Sequence, residues 1–119
     1  MRILVVDAAN VIGSVPDGWW KDRPGAARRL HAAIVEVPLP HDHVVLVLEG
    51  RARAGAPAGS EAGVDTVHAP ASGDDEIVAQ VHRHAGHEVT VASADRGLLA
   101  RIPDAVPLGP RTLRDMLGV

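Results

Sequence analysis

The sequence contains no cysteine, phenylalanine or tyrosine, and Trp19 and Trp20 are its two aromatic residues. The absence of cysteine excludes disulfides, thiolate zinc sites and a cysteine nucleophile. The absence of phenylalanine and tyrosine excludes the scattered rings on which many single-strand-binding proteins stack bases. The core must therefore consist of valine, leucine, isoleucine and alanine side chains.

Long apolar runs are also missing. The first run, Ile3 to Val6, stops at Asp7 and is too short for the hydrophobic region of a secretory signal. No run approaches the length of a transmembrane helix. We therefore expect a cytoplasmic protein without a membrane partner. A chain of 119 residues predicts one domain, residues 1–119, that buries about two thirds of its unfolded surface.

Short apolar runs alternate with segments of helical spacing. The runs predict strands at residues 2–7, 44–48, 64–68, 89–92 and 105–108. Helices are expected at about 24–37, from Ser72 to Gly86, around 97–101 and from Pro110 onward. Residues 50–63 contain four glycines and are expected to form a mobile loop. This order predicts an α/β fold with three α/β/α layers and a mainly parallel five-stranded sheet.

Acidic side chains follow three of these strands and open one helix. Asp7, Glu49 and Asp95 each come shortly after an apolar run, and Asp74 lies at the start of a predicted helix. Because parallel strands present their carboxyl ends at one edge of a sheet, we expect these acids to meet there. Two carboxylates ~4 Å apart repel by ~4 kcal/mol at an effective dielectric of ~20. Such a group of acids typically binds a divalent cation.

Each acid also has a structural interpretation. Asp7 could accept hydrogen bonds from nearby backbone amides, and Ser93 or Asp95 could cap a short helix. Glu49 could pair with Arg51 or Arg53. Asn10 could orient Asp7 or a ligand, or it could occupy a turn.

Asp74 and Asp75 are neighbours and must point ~100° apart on a helix. Asp74 precedes the core residue Ile77 by three positions, so it is the candidate ligand. Asp75 is expected to act as the cap partner of Ser72.

Four motifs resemble those of the PIN-like nuclease superfamily and, within it, the NYN-domain proteins. Asp7-Ala8-Ala9-Asn10 resembles the D-x-x-N that follows the first strand in that group. The run VLVLEG ends in an acid, Glu49. Gly73-Asp74-Asp75-Glu76-Ile77 is similar to the A-D-D-x-I helix opening, and Ser93-Ala94-Asp95-Arg96 is similar to T-x-D-R. The segment GWWKDRPGAARRL also resembles small NYN proteins.

The resemblance implies an acidic pocket that binds Mg²⁺ or Mn²⁺ and hydrolyses RNA phosphodiester bonds. It assigns metal binding to Asp7, Asp74 and Asp95, and a supporting catalytic role to Asn10. Glu49 is a further candidate ligand, although these families commonly have aspartate there, and its longer side chain would reach a metal differently. Serine also replaces the usual threonine at Ser93.

The net charge is −3, whereas nucleic-acid-binding proteins are typically basic overall. Cations nevertheless lie in loops next to the acids, and Lys21, Arg51 and Arg96 are candidates for contacting the phosphates of a probably single-stranded RNA. An ordinary mixed surface would have the same composition. Trp19 could stack on a base, and the tryptophans could instead belong to a homodimer interface.

Two other functions fit the same residues. The chain could be a non-catalytic PIN-like module that binds RNA or protein, or a phosphohydrolase acting on nucleotides. No G-K-S/T phosphate loop is present. A receiver-type phosphoacceptor domain is disfavoured because no lysine follows the fifth predicted strand.

Overall fold

The computed structural model of the protein describes residues 1–119, which form a single mixed sheet with helices on both faces. The sheet has six strands in the order β3-β4-β2-β1-β5-β6, and all neighbours are parallel except β3 and β4. The strands are β1 Arg2–Asp7, β2 His43–Leu48, β3 Gly59–Glu61, β4 Val64–His68, β5 Glu88–Ala92 and β6 Val106–Leu108. The predicted α/β architecture and the mainly parallel sheet are confirmed.

Five α-helices and two 3₁₀ helices connect the strands. The α-helices are α1 Ala8–Ile12, α2 Arg23–Glu36, α3 Gly73–Arg83, α4 Arg96–Arg101 and α5 Pro110–Leu117. The 3₁₀ helices are Trp19–Lys21 and Gly50–Gly55. No helix is both long enough and apolar enough to span a membrane.

The central strand β1 explains why the apolar runs lack alternation. It lies between β2 and β5, and its residues from Ile3 to Val6 are fully buried because helices cover both faces. Leu4 and Val6 pack on the side of α1, α2 and α5. Ile3 and Val5 point to the opposite side, towards α3 and α4. The strand therefore supplies alternate side chains to two aliphatic cores.

The prediction of five strands is wrong, because residues 50–63 contribute a sixth. This segment forms the second 3₁₀ helix and the short antiparallel strand β3, which pairs with β4. The 3₁₀ helix packs against α2 so closely that a Cβ atom at Gly55 would collide with the carbonyl oxygen of Pro24. Of the four glycines that suggested a mobile loop, Gly55 permits this close backbone approach, and the other three adopt positive φ angles.

Helix α1 was also not predicted. Its five residues are too few to display a helical period, and it begins directly after β1. Asp7 caps it by accepting a hydrogen bond from the Asn10 amide. The sheet therefore continues into a helix at the point where the first acidic residue lies.

Candidate acidic site

Asp7 is the most buried acid at the carboxyl edge of the sheet. It is the last residue of β1, next to β2, and it is 6% exposed. Its Oδ1 accepts a hydrogen bond from the Asn10 amide at 3.3 Å, and its Oδ2 accepts one from the Ser93 hydroxyl at 2.8 Å. The backbone-amide contact considered from the sequence is therefore present. Each oxygen keeps a second lone pair with which it can bind a cation.

Ser93 joins two of the predicted ligands. It is 2% exposed, and its hydroxyl donates to Asp7 while it accepts a hydrogen bond from the Asp95 amide at 3.1 Å. Asp95 caps α4, since its Oδ1 accepts from the Leu98 amide at 3.0 Å. The cap and the predicted ligand role are compatible because Oδ2 of Asp95 accepts no hydrogen bond from the protein. The sequence suggested Ser93 only as a cap and missed this link.

Asn10 fixes the loop that follows β5. Its Oδ1 accepts a hydrogen bond from the Ala94 amide at 2.9 Å, although 84 positions separate the two residues. Its side chain makes no hydrogen bond to Asp7, so the expected direct orientation of that carboxylate comes from the Asn10 backbone instead. Asn10 therefore holds α1 against the loop that carries Asp95.

If Asp7 is a metal ligand, as the sequence resemblance implies, Ser93→Ala is expected to lower the resulting activity about 10- to 100-fold, as is typical for the loss of a partner that orients a metal ligand. It should also destabilise the fold by ~1–3 kcal/mol, because a buried hydrogen-bond network loses its central hydroxyl. Ser93→Thr keeps the hydroxyl and is the matched control. Equal rates for the alanine and threonine variants would contradict an orienting role for the hydroxyl.

Glu49 contacts the start of α3 and not an arginine. Its Oε2 accepts a hydrogen bond from the Gly73 amide at 2.9 Å. A Cβ atom at Gly73 would lie within 2.9–3.1 Å of the Glu49 carboxylate, so glycine is needed for this contact. Arg53 instead donates to the carbonyl oxygens of Gly50 and Ala69. Glu49 thus anchors the helix end whose next residue is Asp74.

Asp74 and Asp75 have different surroundings, as their helical spacing predicted. The Ser72 hydroxyl accepts a hydrogen bond from the Asp75 amide at 3.3 Å, which confirms Ser72 as the cap. The predicted capping box also requires the Asp75 carboxylate to accept a hydrogen bond from the Ser72 amide, and this bond is absent. The carboxylate pairs with Arg101 of α4 at 2.9 Å, and both side chains are largely exposed. Asp74, in contrast, is near enough to Asp95 and Glu49 for their charges to raise its pKa.

The acids at this edge interact electrostatically. Burial raises the pKa of Asp7 above its ordinary value, the hydrogen bonds from Ser93 and Asn10 oppose the rise, and the charges of Asp74 and Glu49 add to it. Burial likewise raises the pKa of Asp74, and the charges of Asp95 and Glu49 raise it further, against an opposing effect of Arg101. Four elements thus deliver mutually repelling carboxylates to one edge.

The side chains nevertheless do not form a ready metal cage. No group of three histidine, aspartate or glutamate side chains is arranged to hold a metal ion directly. The acids lie at one edge and influence one another's charge, but they do not by themselves provide a complete set of metal ligands.

The cations predicted to contact RNA are free on the surface. Lys21, Arg51 and Arg96 are exposed and take part in none of the ion pairs of the structure. Trp19 is half-buried, and the guanidinium carbon of Arg23 lies 5.3 Å from the centroid of its ring. This pairing of Arg23 with Trp19 was not predicted, because it depends on how the 3₁₀ helix enters α2.

Comparison with known proteins identifies a solved structure with a similar fold. No protein-family model matches the sequence, and no curated protein matches it. Among solved structures, the chain is similar to Rae1 (YacP) from Bacillus subtilis, with a TM-score of 0.75 and 20% sequence identity. The match covers 98% of this chain and 75% of that chain. At this level of identity, the similarity shows that the two chains share a fold.

Proposed function

We propose that the protein is a divalent-metal-dependent ribonuclease of the PIN-like superfamily, of the NYN-domain type, which hydrolyses RNA phosphodiester bonds at the acidic edge. The observation that carries the proposal is the convergence of Asp7, Glu49, Asp74 and Asp95 from four separate elements. The charges of Asp74 and Glu49 raise the pKa of Asp7, and a bound cation would relieve this repulsion.

The donor chemistry of the site fits Mg²⁺ or Mn²⁺. All four candidate ligands are carboxylates, and oxygen ligands suit these hard cations. Mg²⁺ usually keeps several waters and takes only one or two protein carboxylates together with substrate phosphates. The site is therefore compatible with this ion although no three acids are arranged around one point. Asp7, Asp74 and Asp95 would hold the metal partly through its bound waters, and Oε1 of Glu49 accepts no hydrogen bond from the protein.

When bound, the metal would lower the pKa of a water molecule and stabilise the charge that develops on the phosphoryl oxygens. Neighbouring residues of the chain hold the acids in place. Ser93 keeps the Asp7 carboxylate in one orientation, and Asn10 keeps the Asp95 loop against α1. Glu49 holds the first turn of α3, which carries Asp74. A preorganised arrangement of this kind reduces the rearrangement needed during the reaction.

Exposed cations near the edge suit an anionic polymer. Arg96 directly follows Asp95, and Arg51 follows Glu49 by two positions. Lys21 ends the first 3₁₀ helix. Because none of the three is paired with an acid, each can contact an RNA phosphate without first breaking an ion pair. Cation contacts of this kind would offset the repulsion between the acidic edge and the RNA backbone.

The direct test is the cleavage of an end-labelled RNA by the purified protein. We expect fragments in the presence of Mn²⁺ or Mg²⁺, complete loss of cleavage when the ion is chelated, and recovery when it is restored. Metal binding detected by calorimetry without cleavage of any RNA would contradict the nuclease and favour the binding module. Cleavage of nucleotides without cleavage of RNA would select the phosphohydrolase.

A further inference from the structure

A groove lies beside the acidic edge and opens between α1, the start of α2 and the second 3₁₀ helix. Its volume is about 420 Å³, and its lining includes Ala9, Trp19, Arg23, Glu49, Gly50 and Ala52. We call it the Trp19 groove. Glu49 belongs both to this groove and to the group of acids, and Ala9 lies two positions from Asp7. A molecule in the groove therefore borders the proposed cleavage site.

Trp19 and Arg23 provide a stacking surface in the groove. The Arg23 guanidinium carbon lies 5.3 Å from the Trp19 ring centroid, a distance at which the cation and the ring attract each other. The Trp19 and Trp20 rings are nearly perpendicular, with a centroid distance of 5.8 Å and an angle of 88° between their planes. Arg23 and Trp20 are both neighbours of Trp19, but Trp20 is 50% exposed and does not line the groove.

The sequence explains why Arg23 is held there. Asp22 caps α2 by accepting a hydrogen bond from the Gly25 amide at 3.0 Å. A Cβ atom at Gly25 would collide with the Asp22 carboxylate, so the cap depends on glycine. Arg23 is the first residue of α2 and follows the 3₁₀ helix that carries Trp19. The cap therefore sets the relative position of the indole and the guanidinium.

The groove matches the chemistry of a nucleobase. Its volume falls within the usual range for small-molecule sites of about 300–1,000 Å³. Indole rings and guanidinium planes are the groups on which proteins stack unpaired bases. The Glu49 carboxylate has one oxygen engaged by the Gly73 amide, and the other oxygen can accept a hydrogen bond from a base N–H group.

We propose that the Trp19 groove binds one unpaired base of the RNA substrate, stacked on the Trp19–Arg23 pair, in the nucleotide next to the phosphodiester at the acidic edge. This inference rests on the proposed ribonuclease function. A base inside a duplex has both faces covered and its pairing edge occupied, so it cannot enter the groove. The substrate is therefore RNA that is unpaired at the cleavage position.

The test uses the fluorescence of Trp19 in a protein that carries Trp20→Phe and Asp7→Asn, so that one indole reports and the RNA stays intact. We expect a short unpaired oligoribonucleotide to quench the emission, and an abasic oligomer of equal length and charge to bind without quenching. The same RNA closed into a duplex should also fail to quench. Equal quenching by the abasic and base-containing oligomers would overturn the proposal.

Affinity measurements supply a second readout. Trp19→Ala should weaken the binding of unpaired RNA about tenfold or more, the effect typical of losing a base–aromatic stack. Trp19→Phe retains a smaller ring for packing and should have an intermediate effect, so the comparison remains valid if the alanine variant unfolds. Trp20→Phe, which keeps an aromatic ring beside Trp19, is the matched control and should bind RNA as the parent does. Equal affinities for the Trp19 variants and the parent would overturn the proposal.

The two proposals fail separately. Trp19 quenching by unpaired RNA, without cleavage by the parent protein in any divalent ion, would contradict the nuclease but support the base site. Metal-dependent cleavage by Trp19→Phe at the parental rate and KM, together with no quenching of Trp19 in the Trp20→Phe, Asp7→Asn protein, would leave the nuclease standing and overturn the base site.

Discussion

Asp7→Asn is expected to abolish RNA cleavage, with kcat falling about 10³-fold or more. The substitution keeps the shape of the side chain but removes the charge of the most buried acid in the site. A neutral amide binds a divalent cation more weakly, and the electrostatic stabilisation of the developing phosphoryl charge is lost with the ion. Single-turnover cleavage of a labelled RNA at saturating Mn²⁺ measures the effect.

The stability of the same variant separates this loss from misfolding. Burial raises the pKa of Asp7 in the folded protein above its ordinary 3.8, so the charged carboxylate destabilises the fold. We therefore expect Asp7→Asn to unfold at the same temperature as the parent or at a higher one, at neutral pH and without divalent ions. Its advantage should shrink as the pH falls through the raised pKa and disappear below about 3.8, where Asp7 is neutral in both states.

Divalent metal ions should make the parent unfold at a higher temperature than Asp7→Asn. A ligand that binds only the folded state at about 100 times its Kd stabilises a protein by ~2.7 kcal/mol. Mn²⁺ should therefore raise the unfolding temperature of the parent and leave that of Asp7→Asn nearly unchanged. An unchanged cleavage rate in the variant, or an equal response of both proteins to Mn²⁺, would remove Asp7 from the site.

Asp74→Asn is expected to lower kcat at least about 100-fold, whereas Asp75→Asn should stay within about threefold of the parent. The two residues are neighbours on α3, yet the Asp74 carboxylate interacts with Asp95 and Glu49, whereas that of Asp75 pairs with Arg101. Such an exposed ion pair contributes at most ~1 kcal/mol to stability. Each variant removes one negative charge from the same turn of α3, so a difference between them reports the position of the charge.

Cleavage assays on both variants under one set of conditions provide the measurement. Circular dichroism should show an intact fold for both, because each substitution preserves size and the Ser72 cap uses a backbone amide. Equal losses in the two variants would indicate that α3 acts through its overall charge, and the assignment of Asp74 would then fail. A larger loss in Asp75→Asn would reverse the assignment.

The central strands and main helices could be predicted from local patterns. Continuous aliphatic runs such as Ile3 to Val6 occur where a strand is covered on both faces, and Asp22 with Pro24 indicates a helix start that the structure confirms. Residues 50–63 could not be predicted in this way. Their pairing with α2 and β4 depends on distant residues, and glycine and alanine have no period that distinguishes a 3₁₀ helix or a short strand from a loop.

The candidate site was likewise predicted only in part, because local patterns place its acids but do not give their contacts with distant residues. The positions of Asp7, Glu49 and Asp95 after strands follow from the parallel arrangement, and the helical spacing separates Asp74 from Asp75. The contacts between these acids and their neighbours could not be predicted. The Ser93 hydroxyl meets Asp7 across 86 positions, and the amide acceptor of Asn10 meets Ala94 across 84.

The order of the five predicted strands and the four main helices along the chain, the aliphatic character of the core and the edge at which acids gather all follow from residue types and their spacing. These properties are local, or they repeat with the period of a strand or helix. Three features depend on folding: the anchoring of Glu49 to α3, the link through Ser93, and the groove formed by Trp19 and Arg23. Each requires side chains from separate elements to come within a few ångströms, and only the packing of those elements sets such distances.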